Sequence, residues 1–158
     1  MPAPLAYFLT WTCYGTWLHG DDRHSVDDNH NQPGTPHLRP NHARVALDRA
    51  LMRHPPFVLS DHARDLCTST ITAHAEIRRW TLRALNVRTN HVHLVVACPP
   101  EVKPETAMEQ FKAWCTRRLR EAGLAQSDRP VWTEHGSTRW INDNESLSKA
   151  VRYVTEHQ

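Results

Sequence analysis

The sequence predicts an α+β domain in which helices pack on a mainly antiparallel β-sheet. Four short segments are rich in aromatic and β-branched residues, and longer segments between them carry apolar residues at helical spacing. Two of the strand segments are separated by only three residues, which is typical of an antiparallel hairpin. A length of 158 residues fits one domain, residues 1–158, with a proper core.

Strands are predicted at residues 6–13, 80–87, 91–98 and 131–141, the last of them broken or bulged near Gly136. Helices are predicted at residues 41–53, 61–79, 104–122 and 145–157. Ser60 is the expected N-cap of the second helix, Pro104 opens the third, and Gly123 closes it. This order of elements, with the helices on one side of the sheet, predicts a ferredoxin-like sandwich.

The apolar positions of the helices indicate which side faces the core. They are Ala63, Leu66, Cys67, Thr70, Ile71 and Ile77 in the second helix, Met108, Phe111, Cys115, Leu119 and Ala122 in the third, and Leu147, Ala150, Val151 and Val154 in the last. Residues 15–40 show no periodicity and are rich in Gly, Pro, Asp and Asn. They are predicted to form a long loop insertion.

Composition excludes several classes of protein. No apolar run approaches the ~20 residues of a membrane span, and the N-terminus lacks the pattern of a signal peptide, so a cytoplasmic protein is expected. The widely spaced cysteines lie in apolar segments, which favours reduced core thiols. A net charge of +2 permits a nucleic-acid partner but does not by itself indicate one.

The stretch TNHVHLVV, residues 89–96, places two histidines one residue apart in a predicted strand. Alternate residues of a strand face the same way, so His91 and His93 stand side by side while Val92, Leu94 and Val96 face the core. Two imidazoles at this spacing can converge on one metal ion and leave coordination positions open, which is the catalytic pattern. About one such tripeptide is expected by chance in a chain with twelve histidines, so the motif alone is weak evidence.

The last predicted helix carries Tyr153, and His157 follows four residues later. Residues at this spacing share a helix face, so the two side chains lie together and off the apolar stripe. Taken alone, they are better explained as a packing aromatic residue and a solvated histidine near the helix C-terminus.

The histidine pair and the tyrosine together resemble the single-tyrosine HUH endonucleases, and more narrowly the insertion-sequence transposases and REP-associated tyrosine transposases. The resemblance rests on NHVHLVV after a strand, a lone tyrosine on the closing helix, YFLTWTCYGTWLHGD around the first strand, and VWTEHGSTRWI before the last helix. It covers nearly the whole chain in order. It implies a ferredoxin-like (RRM-like) fold, a divalent metal, and cleavage of single-stranded DNA through a phosphotyrosine.

By this resemblance, His91 and His93 bind the metal and Tyr153 is the nucleophile. The third ligand stays open, because helical geometry favours His157 and residue type favours Gln158. Open coordination of this kind suits magnesium or manganese. The resemblance also implies hairpin-containing single-stranded DNA as the partner, and a 5′-phosphotyrosine with a free 3′-hydroxyl as the product of attack. We expect a homodimer, because one tyrosine holds one DNA end at a time.

Other residues are weaker candidates. The basic clusters Arg78-Arg79 and Arg117-Arg118-Arg120 are possible phosphate contacts, although a solvated helix face explains them as well. The tryptophans Trp11, Trp17, Trp132 and Trp140 are candidate base-stacking platforms, although core packing is the more usual role.

Two other functions compete with DNA strand transfer at this stage. One is a ferredoxin-like module that binds single-stranded nucleic acid without catalysis, and the other is a small zinc-binding structural protein. Strand transfer requires Tyr153 to lie near the histidine pair, whereas a structural zinc site requires four closed ligands.

Overall fold

The computed structural model describes residues 3–16 and 54–156, which form a four-stranded sheet with three helices. The strands are β1 (Ala6–Cys13), β2 (Thr81–Val87), β3 (His91–Ala97) and β4 (Trp132–Ile141). The helices are α1 (Asp61–Arg78), α2 (Pro104–Glu121) and α3 (Asn144–Glu156). The helix predicted at 41–53 and nearly all of the loop predicted at 15–40 lie outside the described residues.

The sheet order is β2-β3-β1-β4, and every neighbouring pair of strands is antiparallel. This confirms the predicted α+β, ferredoxin-like class and the β2–β3 hairpin. The pairing of β1 with β4 shifts register between Trp11 and Cys13, which lie opposite Gly136 and Trp132. The predicted irregularity near Gly136 is therefore confirmed. Strands β3 and β1 occupy the middle of the sheet.

The main core lies between one face of the sheet and the helices α1 and α2. Its sheet residues alternate along β1 and β3 and are Tyr7, Leu9, Trp11, Val92, Leu94 and Val96. Trp11 is fully buried, with its ring centroid 6.4 Å from that of Phe111 and 6.1 Å from that of Trp132. Large aromatic side chains remove the most apolar area from water, so this face supplies most of the hydrophobic stabilisation.

The ends of α1 and α2 follow the sequence signals. The Ser60 hydroxyl accepts a hydrogen bond from the Ala63 backbone N–H at 3.2 Å, which confirms the predicted N-cap of α1.

The core assignment of Ile77 is wrong, because its side chain is 77% exposed. Ile77 lies six residues after the buried Ile71, about 240° round the helix, and His74 takes the buried position instead.

The prediction that all helices lie on one side of the sheet is wrong for α3. This helix packs on the opposite face, over a smaller apolar cluster made of Ala6, Ala84, Val95, Ile141 and Val154. Val95 shows why. Its side chain lies on the same face of β3 as the two histidines and is fully buried. This face therefore also has apolar surface, and covering it with α3 stabilises the fold.

All four cysteines are free thiols, and Cys13, Cys67 and Cys115 are buried, as predicted. Burial raises the pKa of the Cys13 thiol to about 12, so it stays protonated at neutral pH. Within residues 3–16 and 54–156, none of the helices combines the length and apolar character that a bilayer crossing requires.

Candidate functional site

His91 and His93 lie side by side on the face of β3 that α3 covers. Their ring centroids are 5.2 Å apart and their planes are at 80°. The neighbouring strand β1 places Thr12 opposite His91 and Thr10 opposite His93. The pair therefore lies on β3, which has a paired strand on each side.

His93 is the more buried member of the pair, with 3% of its surface exposed. Burial, the adjacent His91 and the charge of Arg88 lower the pKa of His93 to about 4. The ring is therefore neutral at pH 7, which is the form that coordinates a metal. Among the described residues its Nε2 atom has no hydrogen-bond partner, although it is buried. A buried polar atom of this kind requires an explanation, and a metal ion bound to its lone pair is one.

Asn90 orients the other ring. Nδ1 of His91 lies 2.8 Å from the side-chain oxygen of Asn90. Because a carboxamide oxygen only accepts, Nδ1 carries the hydrogen, and in the neutral ring the lone pair of His91 is then on Nε2. A hydrogen bond to the non-coordinating nitrogen is the usual way in which a protein fixes a metal-binding histidine.

Tyr153 lies above the histidine pair. Its ring centroid is 5.8 Å from that of His93 and 5.8 Å from that of Phe8 on β1. The side chain is half exposed, whereas Val154 beside it is fully buried. Tyr153 thus projects off the apolar stripe of α3, as the helical spacing predicted.

A groove of about 940 Å³ runs from the histidine pair between α3 and the strands β1 and β4. Its lining includes His91, His93 and Tyr153, together with the cations Arg139 and Lys149. None of the described residues that line it is an aspartate or a glutamate. The groove therefore favours an anionic ligand.

The donor set for a metal has two imidazoles in the described part of the chain. Within residues 3–16 and 54–156, no cluster of three or more His, Cys, Asp or Glu side chains is present. His157 and Gln158, the alternative third ligands, lie outside the described residues. Two adjacent imidazoles, of which His93 is neutral and has a buried, unpartnered nitrogen, fit a divalent ion that completes its coordination with oxygen ligands.

The structure does not bring the predicted arginine clusters to the histidine pair. Arg78 and Arg79 lie at the end of α1, and Arg117, Arg118 and Arg120 lie in the last turns of α2. Both helices cover the other face of the sheet. Arg78 and Arg118 line a smaller groove of about 430 Å³ between these helices.

Two of these arginines have partners of their own. The Arg117 guanidinium lies 5.1 Å from the centre of the Trp114 ring and pairs with Glu121 at 3.2 Å. Arg120 donates a hydrogen bond to the carbonyl of Arg129. These contacts fit the alternative that the sequence left open, a solvated helix face.

The candidate base-stacking tryptophans differ in how far they are buried. Trp11 and Trp132 are buried in the main core. Trp140 is 60% exposed, with its ring centroid 6.2 Å from that of Tyr7. Trp17 lies outside the described residues.

Sequence reasoning missed several residues of the groove. Asn90 directly precedes the histidine pair and is the one that the motif itself signals. Phe8 beneath Tyr153, and Arg139 and Lys149 along the groove, carry no local signal, since the sheet register and the packing of α3 bring them together.

The fold and the groove define a ferredoxin-like protein with a histidine pair and a tyrosine on one face of its sheet. The sequence matches the model of the IS200-like transposases over residues 52–157, and the chain belongs to this family. A search of curated protein sequences gives no match.

Two solved structures have a similar fold. One is a REP-associated tyrosine transposase bound to a REP hairpin, with a TM-score of 0.56 and 11% identity, covering 97% of this chain and 66% of that one. The other is a candidate transposase from Deinococcus radiodurans R1, with a TM-score of 0.56 and 17% identity, covering 100% of this chain and 94% of that one. The chain thus spans slightly less than two thirds of the length of the REP-associated protein.

Proposed function

We propose that this chain cleaves and transfers single-stranded DNA, with Tyr153 as the nucleophile and a divalent metal held by His91 and His93. One observation carries the proposal. The groove brings the tyrosine ring to 5.8 Å from a histidine of the pair, although α2, β4 and most of α3 separate the two in sequence. Membership of the IS200-like family supports the same reaction class.

The chemistry balances without an external energy source. The Tyr153 hydroxyl attacks the scissile phosphorus, a bond from the tyrosine oxygen to phosphorus forms, and the bond to the 3′ oxygen breaks. The phosphate stays on the tyrosine as a 5′-phosphotyrosine, and the released 3′ oxygen takes up a proton. One phosphoester replaces another, so the reverse reaction can rejoin strands without ATP.

The residues around the nucleophile would perform separate tasks. A tyrosine hydroxyl is a weak nucleophile at neutral pH and needs help. A bound Mg²⁺ or Mn²⁺ would offset the charge of the scissile phosphate and orient it. Asn90 would keep the His91 lone pair on Nε2, and Arg139 and Lys149 would contact neighbouring phosphates of the strand.

The partner that we propose is hairpin-containing single-stranded DNA. Support comes from the similar structure of the REP-associated transposase, which is bound to a REP hairpin. The arginine clusters of α1 and α2 would contact DNA outside the groove. Residues 1–158 would act as one domain.

The direct test is incubation with single-stranded hairpin DNA and Mn²⁺, followed by a denaturing gel that detects covalent protein–DNA adducts. We expect an adduct with the wild-type chain and none with chelator. Tyr153→Phe, which keeps the ring and removes only the hydroxyl, should bind the same DNA without an adduct. DNA binding without any wild-type adduct would instead favour the non-catalytic nucleic-acid-binding module.

We also propose a homodimer, because excision requires two cleavages and each chain has one candidate tyrosine nucleophile. In the structure α3 packs on its own sheet. Mixing a His91→Ala/His93→Ala chain with a Tyr153→Phe chain tests whether a helix also crosses to a partner. Recovered cleavage would show composite sites. No recovery together with a monomeric mass in solution would contradict both the crossed helix and the dimer.

A further inference from the structure

Helix α3 packs on the sheet through partly buried Leu147, Ala150 and Val151, and most deeply through Val154 near its C-terminal end. Val154 is the only buried residue among those of α3, and its side chain packs with Ala84, Val95 and Ile141. The first residues of the helix, from Asn144 to Ser146, are exposed. The most deeply buried contact of α3 is therefore made by the residue that directly follows Tyr153.

The same residue is also held through its backbone. The side-chain nitrogen of Asn86 on β2 donates a hydrogen bond to the carbonyl oxygen of Val154 at 3.1 Å. Val154 lies in the last turn of α3, where carbonyl groups have no intrahelical donor and need a partner from elsewhere. Asn86 thus acts as a C-terminal cap that is supplied by the sheet instead of by the helix itself.

Asn86 also stands next to the histidine pair. In the pairing of β2 with β3, Asn86 is the direct partner of His93. Opposite residues of an antiparallel pair have neighbouring side chains on one face. Asn86 therefore connects the strand position beside His93 to the helix position beside Tyr153.

We propose that Asn86 is a positioning residue that holds Tyr153 over the histidine pair and keeps α3 on its own sheet. The inference rests on the proposed function for the role of Tyr153, but the docking of α3 can be measured without DNA. Loss of the hydrogen bond would leave this end of the helix held by side-chain packing alone. The helix end, and Tyr153 with it, would then spend more time away from the pair.

The first measurement is amide hydrogen exchange of residues 150–156 in the full chain without DNA. Removing one partly buried hydrogen bond should speed exchange in this turn about five- to tenfold in Asn86→Ala. Glu145→Ala is the matched control, because it breaks the exposed Glu145–Lys149 pair of α3 without touching Asn86. It should change exchange at residues 150–156 less than twofold, roughly the value of one exposed helical pair.

The second measurement is the single-turnover rate of adduct formation on hairpin DNA with Mn²⁺. Asn86→Ala should lower the maximal rate about tenfold, while the DNA concentration for half-maximal rate stays within about twofold. Asn86→Asp has the same shape without a donor and should be at least as slow. Asn86→Gln keeps a carboxamide donor and should recover part of the rate. This order of rates is expected if the side-chain N–H donor positions α3, and it is not expected if the side chain only fills space.

Two results would overturn the proposal. One is unchanged exchange and an unchanged rate in Asn86→Ala. The other is a loss of rate in all three variants alike that tracks a loss of thermal stability, since this would make Asn86 merely structural. If the wild-type chain forms no adduct, the proposed function fails, and the exchange data alone then decide whether Asn86 holds α3.

Discussion

The two faces of the sheet differ in what they bury. Under α1 and α2 lies a large aromatic core, with Trp11 and Phe111 fully buried. Under α3 lies a small cluster around Val95 and Val154, beside an open groove that contains the histidine pair. The first face can maintain the fold while the second face remains partly open. Substitutions on the first face should therefore reduce stability, and substitutions in the groove should mainly reduce activity.

The largest effect is expected on the first face. Phe111→Ala removes a fully buried ring that packs against Trp11, and should lower the free energy of unfolding by about 3–5 kcal/mol. Trp114→Ala on the same helix is the comparison, since that ring is 41% exposed and its loss should cost clearly less than the loss of Phe111. Urea unfolding measures both. Equal losses would show that the burial of Phe111 does not determine its contribution to stability.

A pH-dependent effect is expected in the groove. The pKa of His93 is lowered to about 4, so the unfolded chain binds a proton more readily than the folded chain. The contribution of His93 to the free energy of unfolding should therefore be complete above about pH 6.5 and be lost as the pH falls toward 4. This loss is at most about 3 kcal/mol. His93→Gln without metal should lose this part of the slope. An identical slope in the variant would contradict the neutral, buried ring.

A smaller effect is expected where β4 passes α2. A Cβ atom added at Gly136 would lie 2.7 Å from the Thr10 backbone oxygen and 2.7 Å from the Met108 sulfur. The methionine can move but the backbone cannot, so Gly136→Ala should cost about 1–3 kcal/mol in thermal unfolding. Ser137→Ala, at the exposed neighbouring position, is the control and should stay near the wild-type value. A stable Gly136→Ala chain would show that β4 can shift away from α2.

The smallest effect on stability is expected at His91, which is only partly buried. His91→Ala should change the unfolding free energy by about 1 kcal/mol or less. Because it removes one of two imidazoles, it should weaken Mn²⁺ binding at least about tenfold by calorimetry. Unchanged Mn²⁺ affinity would remove His91 from the metal site and leave the groove without its proposed pair.

Much of the fold could be predicted because its signals are local. The hairpin, the Ser60 cap and the alternation of His91 with Val92 each depend on neighbouring residues only. The side of the sheet that α3 covers depends on Val95, whose burial on the histidine face has no signature in a strand of continuous apolar residues. The core assignment of Ile77 failed because the register of α1 against the sheet is set by long-range packing.

The candidate site also has parts with a local sequence signal and parts that only the fold brings together. Strand periodicity places the two histidines side by side, and the resemblance to a known family singles out Tyr153, although their proximity follows only from the fold. Asn86 has no sequence signal, because its partner Val154 is 68 residues away. The two histidines also differ in burial, since His93 is almost fully buried and His91 only partly. Substitution of His93 should therefore disturb the fold more than substitution of His91.

The most direct test of the central claim is to locate the covalent bond. The protein is incubated with hairpin DNA and Mn²⁺, digested with nuclease and protease, and the modified peptide is sequenced by mass spectrometry. The account predicts a nucleotide phosphate on Tyr153, in a peptide from α3, and none after Tyr153→Phe. A phosphate on Tyr7 or Tyr14, or an adduct that persists in Tyr153→Phe, would contradict the assignment of the groove as the active site.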